Sequence, residues 1–212
     1  MLNPLWYKYS QDPATFPIDL QFFFGDSILV SPVTEENSTS VTAYFPKDIF
    51  YDLLTLTPFQ GQGANVTLSG INFTSIPVHI KGGAVLPLRE KGAMTTTQLR
   101  TTDFELVVAP DANGQASGSL YADDGVSITP KTSTTVSLTY RNSTLTVSGT
   151  FGYALDVNVS RVQFLGVASA PGTVKVNGQT VHSSALLYDK NKQVLDVTLQ
   201  TPFNQGFTVE HS

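Results

Sequence analysis

Three short stretches carry side chains that could do chemistry. The first is Gly25-Asp26-Ser27, set inside the run "QFFFGDSILVSPV". A serine in such a turn could attack an ester carbonyl, but a hydroxyl is a weak nucleophile without a positioned base. The base would be a histidine oriented by an aspartate three residues earlier. The three histidines, His79, His182 and His211, have Ile76, Gln179 and Thr208 at that spacing. Ser27 therefore lacks the partners of a nucleophile. The expectation is a turn: Gly25 ends one element, Asp26 and Ser27 reverse the chain, and a strand follows over residues 28–33.

The second stretch is Asp123-Asp124-Gly125 in "GSLYADDGVS". Two carboxylates could share acid–base work or bind calcium. Adjacent strand residues point to opposite faces, calcium wants more oxygen ligands than this stretch offers, and Asp-Gly is ordinary turn chemistry. The third is Lys81-Gly82-Gly83. It is too short for a phosphate loop, which needs wider glycine spacing and a following helix. With no cysteine and only single, scattered histidines, neither a metal site nor a cofactor is expected. Trp6, Tyr7, Tyr44, Phe45, Phe50 and Tyr51 could form a sugar platform, although aromatics at strand positions more often fill a core.

The totals narrow the partners. The 212 residues carry a net charge of −5 with 14% charged residues. Without a Lys/Arg run, nucleic acid is not an expected partner. The apolar runs are too short to span a membrane, and "MLNPLWYKYS" lacks the basic-then-apolar order of a signal peptide. Five of the ten asparagines stand in Asn-x-Ser/Thr sequons: Asn37, Asn65, Asn72, Asn142 and Asn158. Chance would give about two. The excess points to a glycosylated, extracellular protein.

The elements that must position these residues read mainly as β. "TTVSLTYRNSTLTVSG" places Val136, Leu138 and Tyr140 on one face, then a polar turn, then Leu145 and Val147. "TVKVNGQTV" has Asn177-Gly178 between β-branched residues, a hairpin signal because both turn positions favour positive φ. "SSALLYDKNKQVLDVTLQ" places Leu186 and Tyr188 before a charged turn at 189–192, and Val194, Val197 and Leu199 after it. Such spacing predicts β-sandwiches. The first residues differ. Residues 3–9 read as a strand. In "FPIDLQFFFG", Pro17 suits a helix start, Ile18, Phe22 and Phe23 recur at helical spacing, and Gly25 can close the helix. A strand and a helix followed only by β predict the end of an α/β domain. The polar, Thr-rich residues 91–102 mark a second boundary.

Several stretches taken together resemble glycoside hydrolase family 31, the α-glucosidase family. "PLWYKYSQDPATFPIDLQFFFGDSILVSPV" is similar to the passage that closes the family's catalytic barrel, through Ile18, Asp19, Gln21, Phe22, Gly25, Pro32 and Val33. "SIPVHIKGGAVLPL" resembles its Ile-Pro…Gly-Gly-Ala stretch through Ile76, Pro77, Gly82, Gly83, Ala84 and Pro87. "GSLYADDGVS" is similar to its Leu-Tyr-x-Asp-Asp-Gly turn through Asp123, Asp124 and Gly125. Phe50, Lys81 and Val126 depart from the residues common at those places. The resemblance implies a remnant of a (β/α)8 barrel at 1–25, a proximal β-sandwich at 26–100 and a distal one at 101–212. It implies a retaining α-glucosidase as the parent, acting on terminal α-linked glucose and secreted. Such an enzyme needs two carboxylates about 5–5.5 Å apart. In the family both are aspartates on earlier barrel strands, so no catalytic residue carries over to this chain. The barrel would be the partner of the β domains, and the chain alone would be inactive. The alternative is a stand-alone carbohydrate-binding or adhesion module.

Overall fold

The computed structural model describes residues 1–212 as two compact units, Met1–Gly82 and Gly83–Ser212. The first holds β1 (Leu2–Pro4), β2 (Phe22–Phe24), β3 (Ile28–Val30), β4 (Ser40–Phe45), β5 (Ile49–Asp52), β6 (Pro58–Gln60), β7 (Ala64–Ser69) and β8 (Val78–Lys81). Six of these form an antiparallel sheet in the order β1-β2-β3-β8-β5-β6, while β4 and β7 pair as a separate ribbon. The core of this unit joins the two layers. Phe23, Leu29 and Phe50 of the sheet are fully buried with Ala43 and Phe45 of the ribbon, and Phe45 meets Phe50 edge-on at 5.4 Å.

One side chain fastens the ribbon to the sheet. Gln21 is buried just before β2. Its Oε1 accepts the Tyr44 backbone N–H at 2.6 Å, and its Nε2 donates to the Tyr44 carbonyl at 3.3 Å and to Ser31 Oγ at 2.9 Å. The amide thus stands in for the peptide group of a neighbouring strand, satisfying buried backbone groups that would otherwise be orphaned.

The helix expected over residues 17–25 does not form, nor does the strand over 3–9 persist. The chain instead makes β1, a 3-10 turn at Leu5–Tyr7, a second at Pro13–Thr15, and then extended backbone into β2. Asp12 caps the second turn by accepting the Ala14 N–H at 3.2 Å. The physical reason lies in Phe22-Phe23-Phe24. Three aromatics favour pleated backbone over helix, and pairing on both sides with β1 and β3 buries Phe23 completely. Gly25 has the left-handed conformation expected (φ 65°), but it turns a hairpin instead of ending a helix.

The second unit holds β9 (Ala84–Arg89), β10 (Phe104–Ala109), β11 (Ala116–Ala122), β12 (Thr134–Arg141), β13 (Thr144–Phe151), β14 (Asn158–Phe164), β15 (Val174–Val176), β16 (Gln179–Thr180), β17 (Leu186–Asp189), β18 (Val194–Pro202) and β19 (Phe207–His211). They form one sheet in the order β16-β15-β19-β13-β12-β11-β9-β10-β14-β18-β17. The sheet curls around its own core, because strands far apart in that order touch. Tyr140 of β12 lies 5.5 Å from Phe164 of β14, and His211 of β19 lies 4.9 Å from the same ring. The fold is therefore mainly β with sandwich-like cores, as the pattern predicts. The hairpins also form where expected. Val136, Leu138 and Tyr140 are buried, and the β12–β13 turn uses Asn142 and Ser143 at φ 49° and 56°. Asn177 and Gly178 join β15 to β16.

The unit boundary differs from the expected one near 91–102. It falls between Gly82 and Gly83, whose N–H groups donate to Ile49 of β5 at 2.8 Å and to Ala109 of β10 at 2.8 Å respectively. The polar passage is a loop inside the second unit, with a short helix α1 (Thr96–Leu99), because β9 and β10 on either side of it pair along their whole length.

Two predictions follow from this packing. Gln21→Ala leaves the Tyr44 backbone groups buried and unpaired, each at about 1–3 kcal/mol; urea unfolding should show a loss of about 2–4 kcal/mol. His79 and His211 are both held below the ordinary histidine pKa by burial. The unfolded chain, with histidines near about 6.5, then takes up protons first. Stability should be complete above that value and fall as pH drops below it, and substituting both histidines with phenylalanine should flatten the pH 5–7 slope of the denaturation midpoint.

Candidate functional site

Ser27 sits in the hairpin between β2 and β3, where its carbonyl accepts the Lys81 N–H at 2.7 Å. The histidine of its unit, His79, lies on β8 opposite Leu29. Its ring packs edge-on against Phe45 at 4.9 Å, and its Nδ1 has no hydrogen-bond partner. Burial lowers its pKa, but the ring sits in the aromatic core and makes no hydrogen bond to Ser27, so Ser27 has no positioned base.

A cleft of about 480 Å³ in the first unit is lined by Lys8, Tyr9, Asp12, Tyr44 and Lys47 among others. Both of its tyrosines are engaged by carboxylates. The Tyr9 hydroxyl donates to Asp48 Oδ2 at 3.0 Å, Lys81 Nζ pairs with the same oxygen at 3.0 Å, and the Tyr44 hydroxyl donates to Asp12 Oδ2 at 2.7 Å. Burial, reinforced by Asp48, raises the Tyr9 phenol; burial and Asp12 push Tyr44 up to about 12. Both phenols stay protonated and act as fasteners between the segment after β1 and the β4–β5 region. Neither is a nucleophile at neutral pH.

In the second unit Glu105 of β10 and Asp196 of β18 converge on Arg161 of β14. The guanidinium donates from Nε to both Asp196 oxygens at 2.9 and 2.8 Å and reaches Glu105 at 3.5 Å. Gln163 Nε2 adds a bond to Asp196 at 3.3 Å. Donating hydrogen bonds to the Asp196 carboxylate raises the Arg161 pKa despite burial. A cation fills the space between these carboxylates, so they form a structural ion triad. A retaining pair must instead flank a substrate.

Asp123, Asp124 and Gly125 follow β11 and form the expected turn. Asp123 Oδ1 accepts the Gly125 N–H at 2.8 Å. Asp124 accepts Val126 N–H, Ser127 N–H and Ser127 Oγ at 3.1, 3.0 and 2.6 Å. Arg100, just after α1, donates to the Asp123 carbonyl at 2.7 Å. Gly125 stands at φ +66°, a conformation that favours glycine, and a Cβ there would also displace the Arg100 guanidinium. The carboxylates face inward to their own turn.

Of the remaining predicted residues, Asp19 is exposed with no hydrogen bond or ion pair, and Pro32 follows buried Ser31 at the end of β3. Asn37, Asn65, Asn72 and Asn142 are exposed, while Asn158 is half-buried at the start of β14. Tyr44, Phe45, Phe50 and Tyr51 are buried, which removes them from any sugar platform. The first segment leaves apolar surface outside. Leu5 and Phe23 are wholly buried, but Met1, Leu2, Trp6, Tyr7, Phe16, Leu20 and Phe24 are exposed, Trp6 by 42% and Phe24 by 57%. Leu2 and Phe24 lie opposite each other on β1 and β2, and Trp6 packs edge-on against Tyr7 at 4.5 Å. No helix is long and apolar enough to cross a membrane.

Hydrogen bonds from Ser127 and the Val126 N–H hold the Asp124 carboxyl down at about 2. The turn should be intact above the unfolded value of about 3.9 and loosen as pH falls through about 2. A carboxyl carbon-13 titration should place Asp124 well below the free value of about 3.9, and Ser127→Ala should move it upward.

Comparison with known proteins accounts for this arrangement. Residues 1–86 match the Glycosyl hydrolase family 31 C-terminal domain. The chain is 53% identical over 172 residues to the probable alpha/beta-glucosidase agdC of Aspergillus fumigatus, covering 81% of this chain and 19% of that protein. It is 43% identical over 209 residues to the corresponding protein of Aspergillus clavatus, covering 99% and 23%. It is also 36% identical over 201 residues to the alpha-glucosidase of Schizosaccharomyces pombe, covering 93% and 20%. The chain thus spans about a fifth of the length of these relatives. A glucosidase II alpha subunit shares the fold over the whole chain and 25% of its own, with a TM-score of 0.81 at 24% identity. A Flavobacterium johnsoniae dextranase does so with 0.77 at 18%, over 29% of its length. The family match over residues 1–86 and the identity to these relatives agree: the chain belongs to glycoside hydrolase family 31, to which it contributes C-terminal β-domain sequence.

Proposed function

We propose that these residues are the supporting β domains of a family 31 α-glucosidase. The parent removes terminal α-linked glucose with retention of configuration, and this chain supplies packing surface instead of reacting groups. The observation that carries the reading is the exposed apolar strip on residues 1–24, including Leu2, Trp6, Tyr7 and Phe24. Apolar surface of this kind marks an interaction site. Its place in the sequence, within the segment that resembles the passage closing the barrel, makes a catalytic barrel its partner.

The carboxylates support the same reading from the other side. Asp12 and Asp48 are bound by tyrosines, Asp196 and Glu105 by Arg161, and Asp123 and Asp124 by their own turn. The five sequons support an extracellular parent carrying N-glycans at Asn37, Asn65, Asn72, Asn142 and Asn158.

The purified chain should release no p-nitrophenol from p-nitrophenyl α-glucoside. Turnover abolished by a substitution in this chain would overturn the proposal. The chain should also bind a hydrophobic dye, and the double substitution Trp6→Ser, Phe24→Ser should reduce that signal without lowering the denaturation midpoint, since neither residue belongs to the buried core. Specific α-glucan binding by the isolated chain, lost on removing an exposed aromatic, would favour the stand-alone binding module instead.

A further inference from the structure

Two sequons far apart in sequence meet at one end of the β4–β7 ribbon. Ser40, which opens β4, pairs with Ser69, which closes β7. The loop before β4 and the loop after β7 therefore run side by side, and the Ile71 N–H extends the pairing by donating to the Thr39 carbonyl at 3.0 Å. The first loop carries Asn37 and the second Asn72. Between them lies a groove of about 560 Å³ whose apolar lining includes Val33, Ile71, Phe73 and Ile76. Phe73 is fully exposed, and Ile76 is largely so.

We propose that Asn37 and Asn72 are N-glycosylated and that the first sugars of these glycans lie in this groove, over Phe73 and Ile76. Both asparagines are exposed. The Asn72 side chain uses only its oxygen: Oδ1 accepts from Thr74 N–H at 2.9 Å, Thr74 Oγ1 at 2.7 Å and Ser75 Oγ at 3.2 Å. Its Nδ2 is unbonded, so replacing one amide hydrogen by a sugar breaks no contact in the fold. Asn37 has no side-chain hydrogen bond and stands at φ 59°, a turn conformation that asparagine tolerates. The floor suits the ligand. A pyranose presents an apolar C–H face to an aromatic ring, and the acetamido methyl of N-acetylglucosamine suits an aliphatic contact. Glu35 and Glu36 on the rim are compatible with these uncharged sugars.

In the transfer, Asn Nδ2 forms a bond to the anomeric carbon of a lipid-pyrophosphate-linked oligosaccharide. The bond between that carbon and the pyrophosphate oxygen breaks, and the lipid pyrophosphate leaves with the electron pair and the amide proton. The inference requires passage through a secretory compartment, but not the barrel partner argued above.

The test is peptide mass mapping of the full chain secreted by a yeast behind a cleavable leader, before and after release of N-glycans. Translation into microsomes gives the same reading where export fails. Asn37 and Asn72 should appear as aspartate only after release, and Thr39→Ala and Thr74→Ala should each remove one glycan. Glycan release should raise hydrophobic-dye fluorescence, and Phe73→Ser should abolish that rise. Unmodified Asn37 or Asn72 overturns the paired assignment; occupied sites whose release leaves dye binding unchanged overturn the docking in the groove.

Discussion

The first unit depends on finding partners for the backbone of Tyr44. The ribbon of β4 and β7 is only two strands wide, and a two-stranded ribbon is marginal alone. It becomes part of a core because Gln21 takes both backbone groups of Tyr44 and ties them to Ser31. With the ribbon held there, Ala43 and Phe45 close over Phe23, Leu29 and Phe50. The same anchoring brings Tyr44 within reach of Asp12, and Tyr9 reaches Asp48 nearby. The irregular segment between β1 and β2 is thus ordered by polar contacts on one side and by buried Leu5 on the other. Its remaining apolar side chains face outward.

The second unit solves the edge problem by curling. A flat sheet of this width would expose a whole apolar face, whereas curling lets that face bury itself. Tyr140 and Phe164 meet across the interior, and His211 closes on them with its Nε2 2.8 Å from the Tyr140 hydroxyl. The parallel pairing of β10 with β14 makes this possible, because it places β14 and β18 beyond β10 on the far wall. On the opposite face Arg161 holds Glu105 and Asp196 across three adjacent strands. The charged groups around Asp48, Arg161 and Asp123 are used in this way, to hold the fold.

Local chemistry made part of this legible. The Asn142-Ser143 and Asn177-Gly178 turns form as expected because positive φ is decided by the residues themselves. The alternation of Val136, Leu138 and Tyr140 fixed which face of β12 is buried, since period two leaves no other choice. The Asp123–Gly125 turn was readable for the same reason. The segment before Gly25 was not. Ile18, Phe22 and Phe23 match helical spacing, yet strand partners on both sides of β2 outweigh that local periodicity.

The sequence by itself determined the turns, the alternating faces, the sequons and the family to which the chain belongs, because each depends on residues close together or on a motif in order. Only the tertiary structure decided that Gln21 serves as a strand substitute, that the units part at Gly82 and Gly83, and that Asn37 and Asn72 share one groove. These depend on partners tens of residues away, whose contacts form only when whole strands pair.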